Sequence, residues 1–260
     1  MKLSFIIPCY NEADNVNKLH DELLPVIENI VLKGWDSATD ESRSAEMIFV
    51  DDGSRDDTLV LLQKSFENIH IPDLLFKYLQ HPLNLGLGAA IRTGFSGADG
   101  DIIVTIDSDG TYEFSEIPAL LACLTTGVDI VTASPYHPNG GVIGVPSYRL
   151  FLSRSSSFIY RILLNWHVYT YTCLFRAYRS KVIRNVRFNA NDFLGGTELL
   201  VKAMLKGYVV SEFPAVLHKR MYGVSKAKIR QTIASHLHFQ VWILLYRFRS
   251  LMGAESKQTI

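Results

Sequence analysis

Cysteine is scarce in this chain of 260 residues: Cys9, Cys123 and Cys173 are its three, each in an apolar context and none in C-x-x-C spacing. So few point neither to a disulfide framework nor to a cysteine-ligated zinc site, and a reducing cytoplasm suits them best. Long apolar runs are missing as well. No stretch reaches the roughly 18 unbroken apolar residues of a membrane-spanning helix. At the start of the chain one lysine precedes Leu3 to Pro8, an apolar region too short for a secretory leader, so none is expected. Repeats and low-complexity segments are absent, and no nucleic-acid partner is expected. What is present is enough apolar material, 48% of the residues, to bury one substantial core.

Net charge is also lacking, 26 Lys+Arg against 26 Asp+Glu, but the balance hides an asymmetry. Residues 1–134 carry 8 basic against 22 acidic side chains, a net −14, and residues 135–260 carry 18 against 4, a net +14. An acidic half suits a metal ion, and a basic half suits phosphates or an anionic membrane surface. Attraction between the halves within one fold is the plainer alternative.

Short apolar or β-branched runs at Leu3–Pro8, Glu46–Asp51, Leu74–Gln80, Asp101–Ile106 and Asp129–Ala133 predict strands, with helical patterns near 14–33, 56–67, 88–96 and 116–126 between them. Such alternation predicts an α/β fold with a mostly parallel central sheet and helices on both faces. The polar stretch from Gly34 to Ala45 reads as a surface loop. After Pro135 the alternation weakens to a Gly/Pro-rich loop, helices near 147–165 and 195–206, a strand near 208–216 and a long helix near 227–250.

Ligands of parallel sheets bind beyond the carboxyl ends of the strands. Three polar clusters follow predicted strands directly: Pro8 to Glu12, Asp51 to Ser54, and Asp107-Ser108-Asp109-Gly110. In an extended chain Asp107 and Asp109 point to one side and repel each other unless a cation lies between them. A Mg²⁺ or Mn²⁺ shared with phosphate oxygens answers that need, and a plain Asp-Gly turn is the alternative. Asp52 is placed to touch a base or ribose, while Ser54 or Asp56 could cap the next helix. "NLGLGAAIRTGF" has G-x-G, but Ile91 fills the third glycine position and the motif does not follow the first strand, which argues against a dinucleotide fold. His236 and His238, two apart on a helix, do not face one another as a metal pair.

Taken together, "FIIPCYNE", "FVDDGSRDDT", "NLGLGAAIRTGF" and "TIDSDG", in order over about residues 3–135, resemble glycosyltransferase family 2. The resemblance implies the GT-A nucleotide-diphospho-sugar transferase fold. It places Pro8, Tyr10, Glu12, Val50 and Asp52 on the donor nucleotide, and Asp107, Ser108 and Asp109 on the metal and diphosphate. Within the family the second half resembles the polyprenol-phosphate sugar transferases: "SPYHPNGG" and Arg149 match one segment, and Arg220, Gly223, Ser225 and Lys226 match another. Arg220 and Lys226 then join the donor site, and Arg149 with Ser153, one helical turn apart, the acceptor phosphate. Pro135 departs from the pattern, a ring without a donor where the family carries arginine. Glu198 matches the region from which inverting members with hydroxyl acceptors supply a general base. A helix-start glutamate favoured by the macrodipole is the alternative there.

The expected organisation is a catalytic region over 1–226, donor and metal in 1–134 and acceptor in 135–226, followed by an amphipathic helix and tail over 227–260. The helix sets Trp242 and Tyr246 among cations and apolar residues, as a membrane-interface helix does, or is simply buried. The reading is an inverting, metal-dependent transferase acting from the cytoplasmic face of a membrane. It moves a sugar from a GDP- or UDP-sugar to a polyprenyl phosphate or other lipid-linked acceptor, with Asp109, Arg149 and Glu198 as the catalytic set. A glycan or lipid hydroxyl deprotonated by Glu198 is the second acceptor. A nucleotidyltransferase is disfavoured because "PCYNEADN" lacks the glycines and basic residues of such loops, and a non-catalytic nucleotide-sugar-binding homologue is the alternative of another class.

Overall fold

Leu3, Phe5 and Ile7 enter one apolar core and Ile6 the opposite one, all of them fully buried, so the first strand is covered on both faces. That is the burial of a central parallel strand, and it explains an apolar run without alternation. The computed structural model describes residues 1–35, 43–220 and 229–251.

In chain order the strands are β1 (Lys2–Cys9), β2 (Ser44–Asp51), β3 (Leu74–Gln80), β4 (Ile102–Thr105), β5 (Ile130–Ser134), β6 (Gly141–Ile143), β7 (Arg176–Arg179), β8 (Val210–Pro214) and β9 (Val216–His218). Seven form the central sheet in the order β3-β2-β1-β4-β7-β5-β8, and β6 and β9 form a separate parallel ribbon. Neighbours run parallel except at β7, which is antiparallel to both β4 and β5. One face carries α1 (Val16–Lys18), α2 (Leu24–Lys33), α3 (Thr58–Phe66) and α5 (Ile117–Ala122). The other carries α4 (Leu87–Gly97), α6 (Ser147–Leu163), α7 (Ser180–Asn185), α8 (Leu194–Leu205) and α9 (Ile229–Leu251).

The expected strands and helices are present, with four departures. The helix read near 14–33 is interrupted: Leu24 N–H reaches back to Leu19 O across a π-turn over Leu19–Leu23. Pro25 explains it, having no N–H for the ladder and a ring that crowds the carbonyl four residues back. The strand read over 208–216 is two, β8 and β9, in different sheets. The short β6 and α7 were not anticipated. Nor was β7, whose Arg176 is fully buried, donating to Thr132 Oγ1 (3.0 Å), Gly196 O (2.5 Å) and Tyr171 O (2.6 Å).

Because β1, β2 and β4 run parallel, the clusters after them gather on one sheet edge, as expected. The β6–β9 ribbon docks at that edge, His218 N–H donating to Thr111 O (2.8 Å) just beyond Asp109. Among the described residues no helix is long and apolar enough to cross a membrane.

Candidate active site

The first two loops of the edge interlock. Asn11 adopts φ +50, a left-handed conformation that asparagine tolerates better than most residues. Its N–H donates to Ser54 Oγ (2.9 Å), and its Oδ1 accepts from Arg55 N–H (2.8 Å). Glu12 N–H donates to Thr58 Oγ1 (2.8 Å). Ser54 is thus spent on the first loop instead of capping α3, where Asp56 Oδ1 accepts from Thr58 N–H (3.1 Å). Pro8, Tyr10 and Glu12 line a cavity of about 1150 Å³ together with Asp107, Ser108 and Asp109.

The two aspartates meet in that cavity for a reason other than strand geometry. β4 ends at Thr105, and Asp109 lies in a turn in which its Oδ1 accepts Thr111 N–H (3.0 Å) and Gly110 takes φ +62. The loop, not an extended strand, brings the carboxylates together. Loss of solvent pushes the Asp107 carboxyl up, the charge of Asp109 adds to this, and Arg220 opposes it. Arg220 lies across the acids: Nε and Nη2 each stand 2.7 Å from Asp109 Oδ2, and Nη1 stands 3.1 Å from Glu12 Oε1. Glu12 is held in turn by Asn15 Nδ2 on its other oxygen (2.5 Å). The ribbon sets this geometry, since Lys219 N–H donates to Ile143 O (2.9 Å) one residue before Arg220.

A second, more apolar cavity of about 460 Å³ continues from the first between α6 and α9. Arg149 and Ser153 line both, so their one-turn spacing does place them on a shared face. Arg149 is exposed, with Nε 3.2 Å from Tyr148 Oη, and Ser153 Oγ is 2.6 Å from Thr172 Oγ1. Pro135 lines the slot, and its inner wall includes His236, whose Nδ1 is 3.0 Å from Tyr160 Oη.

Other expected site residues are placed differently. Val50 is fully buried in the core under α4. Asp52 borders the cavity, but its carboxylate is already saturated. One oxygen takes His81 Nδ1 (2.7 Å) and Leu85 N–H (2.9 Å), the other Asn84 Nδ2 (2.8 Å) and Gly86 N–H (2.8 Å). Its visible work is to fix residues 84–86. The glycines of "NLGLG" serve packing: Gly86 has φ +102, and a side chain at Gly86 or Gly88 would run into the carbonyls of Asn191 or Ala190. Glu198 is absent from the cavity lining. It is buried, paired with Lys202 Nζ (2.8 Å) and accepting the N–H groups of Asn189 (3.0 Å) and Ala190 (2.8 Å), so it is not positioned as a base. Gly223, Ser225 and Lys226 lie outside the described residues.

Among the cavity-lining residues that were missed are three charged ones, Arg55, Lys219 and Asp192. Asp192 is the acid this region does present. Its Oδ1 accepts Leu194 N–H (3.0 Å) and its Oδ2 accepts Ser235 Oγ of α9 (2.6 Å). An aspartate two residues before a helix was a legible signal, but it reads first as a turn residue.

The sequence matches the family described as Glycosyl transferase family 2 over residues 4–187. It is 31% identical over 228 residues to the polyprenol monophosphomannose synthase of Mycolicibacterium smegmatis, covering 85% of this chain and 79% of that one. To the dolichol-phosphate mannosyltransferase of Pyrococcus furiosus it is 30% identical over 230 residues, 88% of this chain but 60% of that longer protein. Among solved structures it resembles glucosyl-3-phosphoglycerate synthase from Mycobacterium tuberculosis. With Mn²⁺, UDP and glucosyl-3-phosphoglycerate bound to that enzyme the TM-score is 0.65, with 18% identity over 95% of this chain and 79% of that one. With Mg²⁺ and UDP the TM-score is 0.66, at 18% identity over 92% and 79%. At that identity the likeness establishes the fold, GT-A.

Proposed function

The chain belongs to glycosyltransferase family 2, and on that premise we propose that it transfers a sugar, with inversion, from a GDP- or UDP-sugar to a polyprenyl phosphate. The observation that carries this reading is the junction of two spaces. A polar cavity with Asp107, Ser108, Asp109 and Arg220 opens directly into an apolar slot whose mouth holds Arg149 and Ser153. The first suits a charged donor and the second a lipid chain with an anionic head.

The donor set fits Mg²⁺ or Mn²⁺. Two carboxylates and a hydroxyl are hard oxygen ligands, and the raised Asp107 carboxyl calls for positive charge beside it. Among the described residues no three acidic, histidine or cysteine groups stand together as a full ligand set, so the remaining ligands would come from the donor's phosphates and from water. A bound ion would neutralise charge developing on the departing diphosphate.

The chain's own groups do the rest. Pro8 and Tyr10 border the nucleotide, and Asp52 acts at one remove by fixing Asn84 to Gly86. Arg220 is within reach of the same diphosphate, with Lys226 assigned beside it by resemblance. Arg149 and Ser153 hold the acceptor phosphate so that its oxygen attacks the anomeric carbon opposite the leaving group. That oxygen is already ionised and needs no base, which agrees with the structural commitments of Glu198. The slot takes the first part of the lipid. Around it α6 and α9 expose Phe151, Phe158, Ile162, Leu237, Leu244 and Phe248, an apolar surface with Arg161, Arg247 and Arg249 among it, suited to the interface of an anionic membrane.

A hydroxyl acceptor is the second reading, favoured by Pro135 in the slot. Its base would be Asp192, the carboxylate that the region before α8 presents to the cavity, and no longer Glu198. The deciding experiment offers GDP- and UDP-sugars with Mn²⁺ and either a polyprenyl phosphate or the matching polyprenol. A sugar phosphodiester formed from the phosphate supports the first reading. A glycoside of the alcohol replaces it with the second, and the absence of nucleotide binding in Mn²⁺ overturns both.

A further inference from the structure

Asp109 is claimed twice: it belongs to the pair assigned to the metal ion, and its Oδ2 is occupied by the Arg220 guanidinium. A guanidinium contacting one carboxylate oxygen through two nitrogens while a third nitrogen reaches Glu12 is a cation lodged against the metal's own ligand. The carboxylates it joins are nearly solvent-free, Glu12 5% and Asp109 7% exposed, so their charges are costly to leave uncompensated.

We infer, on the basis of the donor-site reading above, that Arg220 is a tethered counter-ion of the ligand-free site. It holds Asp109 in the metal's place and hands it over only when ion and diphosphate arrive together. Alone, a metal ion would compete with the guanidinium for Asp109 and would gain from the protein only the two carboxylates and the Ser108 hydroxyl. With a nucleoside diphosphate present, the displaced guanidinium moves from Asp109 to the phosphates, and the metal gains phosphate ligands. One exchange replaces one carboxylate–guanidinium contact by a carboxylate–metal and a phosphate–guanidinium contact, with no net charge exposed. Metal and nucleotide then bind synergistically, and by linkage each strengthens the other by the same factor. Arg220 is the residue that couples them.

The geometry suits a hand-over. Arg220 follows the β6–β9 ribbon directly, which fixes the backbone to Lys219, while its long side chain, 21% exposed, borders the cavity. A lysine has no planar fork to straddle one oxygen and reach a second acid, so it would serve poorly.

The test measures Mn²⁺ alone, by the paramagnetic resonance of the free ion, and then with saturating GDP or UDP. Wild-type protein is expected to bind Mn²⁺ weakly alone and about tenfold or more tighter with nucleotide, within the usual range of coupling between sites. Arg220→Gln should bind Mn²⁺ alone about tenfold tighter than wild type and lose most of the nucleotide enhancement; Arg220→Lys should fall between. Arg55→Gln is the control, since it removes a cavity-lining cation that has no bond to Asp109. It reports the general electrostatic gain, and the effect of Arg220→Gln must exceed it. Equal gains in the two variants, or unchanged Mn²⁺ affinity in Arg220→Gln, overturn the hand-over while leaving the donor site standing. Wild-type protein that binds no nucleotide even with Mn²⁺ overturns the donor-site reading and this inference with it.

Discussion

Glu198 and Lys202 pair one helical turn apart on α8, Oε1 to Nζ at 2.8 Å, while the other Glu198 oxygen caps two loop N–H groups. A carboxylate so engaged serves the fold. Glu198→Gln keeps the shape but loses the charge, and should lower stability by about 1–3 kcal/mol. Turnover of the folded protein should escape the loss on the order of 10²–10⁴-fold that follows removal of a general base. Thermal unfolding beside kcat decides, and a dead enzyme of normal stability would restore the catalytic role.

Asp107→Ala and Asp109→Ala should each abolish Mn²⁺-dependent nucleotide binding without unfolding the chain, because both sit in a loop that borders the cavity. Calorimetric titration of GDP and UDP in Mn²⁺ reads this directly. Unchanged affinity would remove the metal from the mechanism.

Arg149 is solvent-exposed at the mouth of the slot, so its loss should leave folding and donor affinity alone. A charge-assisted hydrogen bond to phosphate contributes about 1.5–3 kcal/mol. Arg149→Ala should therefore raise KM for a polyprenyl phosphate by roughly 10- to 100-fold. Under the hydroxyl reading the sensitive change is instead Asp192→Asn, which should lower kcat with little effect from Arg149→Ala.

His236 stands in the wall between α6 and α9, where burial pushes it down from 6.5 to about 4 against the opposing charge of Asp192. Because the folded value is depressed, the unfolded chain takes up the proton first. The stability held by neutral His236 is complete above pH about 6.5 and drains away as the pH falls toward 4. By pH 5 the loss should be on the order of 2 kcal/mol. His236→Asn retains an acceptor for Tyr160 and cannot charge, so urea denaturation at pH 7 and pH 5 should show a smaller drop than in wild type. Equal drops would exclude His236 as the source.

Anionic vesicles should sediment the protein at low salt and release it as salt rises, since exposed charge attraction is screened over about 8 Å at physiological ionic strength. Phe151→Asp, at the most exposed apolar position of α6, should weaken that binding without altering nucleotide affinity. Failure to sediment even at low salt would remove the membrane from the proposal.

Strands at the start of the chain were legible because each is an apolar run ended by turn residues, and Leu74–Gln80 matches residue for residue. β7 was not. It is four residues, Arg-Ala-Tyr-Arg, and nothing local announces that its first arginine is buried among carbonyls. The site divides in the same way. Pro8 to Glu12 and Asp107 to Asp109 follow strands, so sheet topology alone brings them together. The saturation of Asp52 by Leu85 and Gly86, the engagement of Glu198 by Asn189 and Ala190, and the reach of Arg220 to Glu12 depend on backbone groups or side chains distant in sequence or shaped by loops. Hydrophobic period carries no information about them.

The antiparallel strand inside the sheet, β7, also sets the order in which the chain can fold. Among the described residues β5 has no neighbour in the strands that precede it; it pairs there with β7 and β8 alone, and β4 reaches it through β7. While the chain emerges from the ribosome, β1 to β4 can assemble, but β4 presents a bare, apolar edge until some seventy further residues have been made. Those contacts are of long sequence separation and form slowly. An unpaired edge is also a template for another chain. A fragment ending at residue 134 would hold every carboxylate of the donor site, yet it would leave β5 without a partner and that edge open, so it should associate with copies of itself instead of binding nucleotide. The acidic and basic stretches divide the chemistry, but the sheet is stitched across them and they fold as one unit.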